Sequence, residues 1–176
     1  MINKEGWLTK AEKHVSPNFD QRPINTDIKL IVIHNISLPP ENFEFENVKK
    51  FFKNELDFDS HEFFHEIRGL KVSSHFVIDR TGKIYQFVSV YDRAWHAGVS
   101  CFNNQEHCND FSLGVELIGS DNVSFEDNQY DSLNMLIETL CNSFPKIKKE
   151  NIVGHSEIAS GRKTDPGPFF DWSKIR

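Results

Sequence analysis

Hydrophobic and polar positions follow several distinct rhythms along the chain. Leu30-Ile31-Val32-Ile33 is an unbroken aliphatic run, three of its members β-branched, and predicts a strand buried on both faces. His34 and Asn35 end that run, and Pro39-Pro40 close off any helix after it. Residues 74–79 and 83–90 flank Thr81-Gly82 and predict a β-hairpin. Leu113 to Ile118 predicts a further strand, and Ile152-Val153 a short one running straight into His155. Two stretches switch to helical spacing. Glu46 to Leu56 carries Val48, Phe51, Phe52 and Leu56, and residues 126–144 carry Leu133, Leu136, Ile137, Leu140 and Phe144 before Pro145 stops the helix. Residues 17–28 contain Pro and Asn and predict a loop. Interleaved strands and helices with one hairpin predict an α/β (α+β) chain. The expectation is a single domain over residues 1–176, with a central mixed β-sheet flanked by helices.

Composition narrows the partners. A chain of 176 residues can bury roughly 70% of its unfolded surface, and sixteen Phe residues supply much of the core although only 38% of the chain is hydrophobic. A net charge of −6 argues against nucleic acid, which calls for a basic face. No run reaches the length of a membrane span, and MINKEGWLTKAEKHV has no apolar signal core. Three cysteines, Cys101, Cys108 and Cys141, form no close pair and read as reduced bystanders. The expectation is an intracellular chain with no membrane and no obligate protein partner.

Candidate chemistry concentrates in residues 153–168, VGHSEIASGRKTDPGP, a stretch too rich in Gly and Pro to predict a helix. It holds His155, Lys163 and Asp165 on what reads as an irregular loop. His34, projecting from the end of a central strand, completes a His-His-Asp set of nitrogen and oxygen donors. Three protein ligands and a water describe one catalytic zinc ion, not a closed structural site. Glu116, between Val115 and Leu117, is anomalous in an apolar strand. It reads either as a general base near the metal or as a structural salt-bridge partner. Lys163 reads as an oxyanion-stabilising cation or as a solvated lysine, and its neighbour Arg162 as the latter. Asp165-Pro166-Gly167-Pro168 is a stiff turn suited to a ligand. In Arg93-Ala94-Trp95-His96-Ala97-Gly98, the aromatic ring, polar group and small residues suit a pocket wall, with core packing by Trp95 as the alternative.

His61-Glu62-Phe63-Phe64-His65 spells the H-E-x-x-H pattern of zinc peptidases. The third ligand of that pattern is missing, because Arg68 and Lys71 occupy the positions of its Gly and His. The match reads as chance, on a surface helix.

Several stretches together carry a family likeness. EGWL at 5–8, IHNISLPP at 33–40, VSSHFVIDRTGKI at 72–84, RAWHAGVS at 93–100, CNDFSLGVEL at 108–117 and GRKTDPGPFFDW at 161–172 resemble the AmpD-type 1,6-anhydro-N-acetylmuramyl-L-alanine amidases nearly end to end. The resemblance implies the amidase fold shared with T7 lysozyme and peptidoglycan recognition proteins. It implies Zn2+ on His34, His155 and Asp165, Glu116 as base and Lys163 as transition-state cation. It places Asn35 and the segment Trp95, His96, Ala97 and Gly98 along the substrate groove, with His75 a further substrate-binding candidate. Lys71 and His107 stand where the family's arginines meet substrate carboxylates, and neither offers arginine's planar fork. The implied activity is hydrolysis of the amide between anhydro-N-acetylmuramic acid and L-alanine in muropeptides, during cytoplasmic peptidoglycan recycling. Alternatives are an amidase on intact peptidoglycan, which would need export, and a non-catalytic peptidoglycan-binding module, which should lack a metal ligand.

Overall fold

The computed structural model describes residues 1–175. Its strands are β1 (Glu12–Lys13), β2 (Phe19–Gln21), β3 (Leu30–Ile36), β4 (Phe76–Ile78), β5 (Ile84–Gln86), β6 (Asp92–Ala94), β7 (Cys101–Phe102), β8 (Gln105–Glu106), β9 (Ser112–Ile118) and β10 (Ile152–Gly154). Its α-helices are α1 (Phe45–Phe52), α2 (Asp127–Ser143) and α3 (His155–Ile158). Six strands form the main sheet in the order β1-β5-β4-β9-β3-β10. The β4–β5 pair is antiparallel and the other pairs are parallel, so the sheet is mixed as expected.

The two seven-residue strands lie at its centre because both faces are covered. On one face Ile31, Ile33, Leu113, Val115 and Leu117 pack against Leu133, Leu136 and Leu140 of α2. Each fully buried leucine there contributes on the order of 2 kcal/mol. At the start of α2 the Glu126 carbonyl accepts from the Gln129 N–H at 2.9 Å, and Gln129 Oε1 reaches back to accept from the Glu126 N–H at 3.1 Å. On the other face α1 buries Val48, Phe51 and Phe52 against Val77, Phe87 and Ile118.

The structure departs from expectation in three places. Residues 17–28 are not all loop, because Phe19–Gln21 pairs antiparallel with Asp92–Ala94. The Arg93 guanidinium holds that short ribbon in register by forking onto both Asp20 oxygens, at 2.6 Å each. The hairpin strands are three residues each, shorter than the alternation predicts. Finally, the segment after β10 begins with a helical turn, α3. Glu157 Oε1 accepts from the Gly154 N–H at 2.8 Å and starts that turn, and the chain becomes irregular only beyond it.

Candidate active site

The parallel pairing of β10, β3 and β9 brings three carboxyl-terminal strand ends together, the usual place for a site in such sheets. His34 lies near the end of β3, with Glu116 as its partner in β9. His155 begins α3 directly after β10. Asp165 is drawn in by its own carbonyl, which accepts from the Ser156 N–H at 3.0 Å. The bend after it nestles on Asp121, where a side chain on Gly167 would meet Asp121 Cα at 2.5 Å.

The three expected donors converge. His34 Nδ1 lies 3.0 Å from His155 Nδ1 and 2.9 Å from Asp165 Oδ2, and His155 Nδ1 lies 3.0 Å from the same oxygen. Protons do not account for this triangle. His155 Nε2 faces the Ala97 carbonyl at 3.0 Å, which can only accept, so in the neutral ring Nδ1 is a bare lone pair. Burial pushes the His34 pKa down to about 4, so His34 is neutral near pH 7 and carries one proton. With His155 in its neutral form, at most one hydrogen is left for three mutual contacts. A tetrahedral zinc shell with nitrogen ligands at about 2.0–2.1 Å has neighbouring donors roughly 3.3 Å apart. The set fits such an ion, and it is the one group of three or more candidate ligands among the described residues.

Around this point lies a cavity of about 250 Å³. Phe51, Phe52, Leu70, Val72 and Trp95 line it on the apolar side, and Asn35, Glu116 and Lys163 on the polar side. Glu116 is buried, and its Oε2 has no hydrogen-bond partner. Burial, reinforced by the charge of Asp165, raises its pKa well above the ordinary carboxylate range, with the Lys163 charge opposing. Asp165 is held below that range. Burial works against this, but the facing nitrogens of His155 and His34 prevail.

The remaining expected site residues divide. Asn35 borders the cavity and donates from Nδ2 to Asp121 Oδ1 at 2.6 Å. Lys71 is exposed, between two residues of the cavity wall. Trp95 and His96 line the cavity, whereas Gly98 and His107 line a separate one of about 790 Å³ with Arg162 and Cys101. Ala97 is fully buried and offers its carbonyl to His155, not its side chain to a groove.

The substrate-binding reading of His75 is corrected. The ring is wholly buried beneath the site, accepts the Gly114 N–H at Nδ1, and meets Arg22 and the Asp92 carbonyl at Nε2. It has no exposed surface with which to touch a ligand. Arg162 is exposed as read, but it also braces a neighbouring segment, since its Nη2 donates to the Ala97 and Val99 carbonyls at 2.7 Å each. The H-E-x-x-H pattern is no metal site. It folds as a 3-10 turn over Glu62–His65, with His61 Nδ1 accepting from the Phe63 N–H and His65 turned toward Asp59.

A sequence profile of the family described as N-acetylmuramoyl-L-alanine amidase matches residues 24–168. The chain belongs to that amidase family. The chain is similar to 1,6-anhydro-N-acetylmuramyl-L-alanine amidase AmpD of Haemophilus influenzae, 50% identical over 97% of this chain and 93% of the relative. The same protein of Escherichia coli is 46% identical, over 100% of this chain and 96% of its own. Among solved structures, a selenomethionine AmpD crystal structure superposes with a TM-score of 0.96 at 44% identity, covering 100% of this chain and 98% of its own. The amidase AmiD from E. coli, solved with the substrate anhydro-N-acetylmuramic acid-L-Ala-D-γ-Glu-L-Lys, superposes with a TM-score of 0.61 at 29% identity, covering 88% of this chain and 59% of its own. The amidase fold expected from the motifs is therefore the fold observed. No helix among the described residues is long and apolar enough to cross a membrane.

Proposed function

We propose that this amidase hydrolyses the amide between 1,6-anhydro-N-acetylmuramic acid and L-alanine in muropeptides, holding one zinc ion on His34, His155 and Asp165. The observation that carries the reading is the proton-poor triangle of donor atoms beside an unpartnered buried carboxylate oxygen. The near full-length likeness to the AmpD amidases supports the substrate class.

A zinc ion held by these donors would supply Lewis acidity to activate water and polarise a carbonyl oxygen. Glu116 accepts the proton of the attacking water at a carboxylate oxygen, which a raised pKa suits, and hands it to the departing amine of L-alanine. Lys163, across the same cavity, sets its ammonium charge against the developing oxyanion. Phe51, Phe52, Leu70 and Val72 limit water around the reacting carbonyl and strengthen both charge effects. Asn35 and Trp95 line the same cavity, where they would border the sugar and peptide of the substrate. Lys71 and His107, lacking arginine's fork, attract the stem carboxylates with less directional grip. We place the reaction in cytoplasmic peptidoglycan recycling. Three free cysteines accord with a reducing compartment.

Mass spectrometry of purified protein incubated with anhydro-muropeptides, with reduced muropeptides and with intact peptidoglycan tests this. Release of the stem peptide from the anhydro substrate, abolished by a chelator and restored by zinc, is expected. Cleavage confined to intact peptidoglycan would replace the recycling role with a wall-degrading one.

A further inference from the structure

Two consecutive residues, His96 and Ala97, touch the outer nitrogens of both candidate ligand histidines. His96 Nδ1 lies 3.0 Å from His34 Nε2, and the Ala97 carbonyl lies 3.0 Å from His155 Nε2. On its far side His96 Nε2 meets the hydroxyl of buried Ser112 at 3.1 Å. The ring packs against Gly114, where a Cβ would stand 2.5 Å from the imidazole. The strap carrying these groups is clamped from both sides. Asn109 Oδ1 accepts from the backbone N–H groups of His96 and Ala97, at 3.2 and 2.8 Å. Both hydrogens of Arg162 Nη2 are spent on the Ala97 and Val99 carbonyls, so its 3.4 Å approach to His155 Nε2 delivers no proton there.

We propose that His96 and the Ala97 carbonyl, held by Asn109 and Arg162, are positioning groups that fix the proton of each ligand histidine on Nε2, leaving both Nδ1 lone pairs for the metal. The inference rests on the zinc reading of the site. At His155 the carbonyl permits only this tautomer. At His34 the arrangement runs His34 Nε2–H to His96 Nδ1 and His96 Nε2–H to Ser112 Oγ. Outer partners of metal-bound histidines are commonly carboxylates or carbonyls. A neutral imidazole in that place orients the ring without adding charge, so the donor set keeps the single negative charge of Asp165. The segment that reads as groove lining in the sequence thus becomes a support for the metal.

The test is zinc affinity by competition with a chromophoric chelator, together with proton NMR of the zinc-loaded protein in the downfield imidazole N–H region. Variants are His96→Phe, His96→Gln and Ser112→Ala, the last deleting one hydroxyl so that a folded probe is available. His96→Phe is expected to weaken zinc binding on the order of 10–100-fold and to remove the slowly exchanging His34 Nε2–H signal while keeping that of His155. His96→Gln, whose amide oxygen accepts, should recover part of both, and Ser112→Ala should weaken binding by less. Wild-type affinity within twofold in His96→Phe and Ser112→Ala, with both imidazole signals retained, would overturn the positioning role while leaving the zinc site standing. Failure of the wild type itself to bind zinc would remove both readings.

Discussion

Glu116 stands directly opposite His34 on the neighbouring parallel strand, and Gly114 and Ser112 precede it on the same face of β9. Their register fixes which chemistry is adjacent. A shift of one residue would swing Glu116 into the α2 core and replace it with Val115 or Leu117.

Replacing Glu116 by Gln is expected to keep zinc bound but lower turnover by about 10²–10⁴-fold, the usual contribution of a general base. Steady-state kinetics with parallel metal analysis would show it. Near wild-type kcat would remove this carboxylate from the reaction.

The same substitution should stabilise the metal-free protein in a pH-dependent way. The folded pKa of Glu116 is raised, so its contribution is fully present below the unfolded value of about 4.3 and lost as pH rises toward the folded value. Thermal melts of metal-free Glu116→Gln should therefore exceed wild type at pH 8 and converge with it near pH 4. A constant offset across that range would contradict the assigned cause.

His34 works on the acid side. Its pKa of about 4 lies below the unfolded value of about 6.5, so its contribution is present above pH 6.5 and is lost as pH falls toward 4. Metal-free wild type should lose stability over that interval, and His34→Gln should flatten the loss. Identical acid melting curves for the two proteins would refute this.

Gly114→Ala should disturb the site more than its size implies. The added methyl meets the His96 ring at 2.5 Å, so overpacking costs about 1–3 kcal/mol and displaces the ring. Leu133→Ala in α2 should cost 2–5 kcal/mol by leaving a cavity, yet leave zinc affinity unchanged, being on the opposite side of the sheet. Denaturant titration and chelator competition on both variants would separate the two cases.

Much of this was legible in the sequence. Apolar run length predicts β3, and helical spacing predicts α2 to within a residue or so of its observed ends. His34, His155 and Asp165 were identifiable as ligand types, and motif likeness joined them across the chain. The short pairings were not legible, because Phe19–Gln21 depends on a distant arginine fork instead of a local pattern. His75 and His96 were hard to sort for a similar reason. Both are histidines beside apolar residues, and only the fold shows that one meets Arg22 while the other meets His34. One signal was available: Ser112, Gly114 and Glu116 alternate with Leu113, Val115 and Leu117, marking a face reserved for polar groups and close approach.

The candidate ligands His34 and Asp165 are 131 positions apart in sequence. A single ion held between them, as proposed, would tie an inner strand of the sheet to the loop after α3, as a crosslink would. Metal supply would then set how long the folded protein survives heat as well as how fast it turns over. Cells short of zinc would lose the protein itself, not merely its activity.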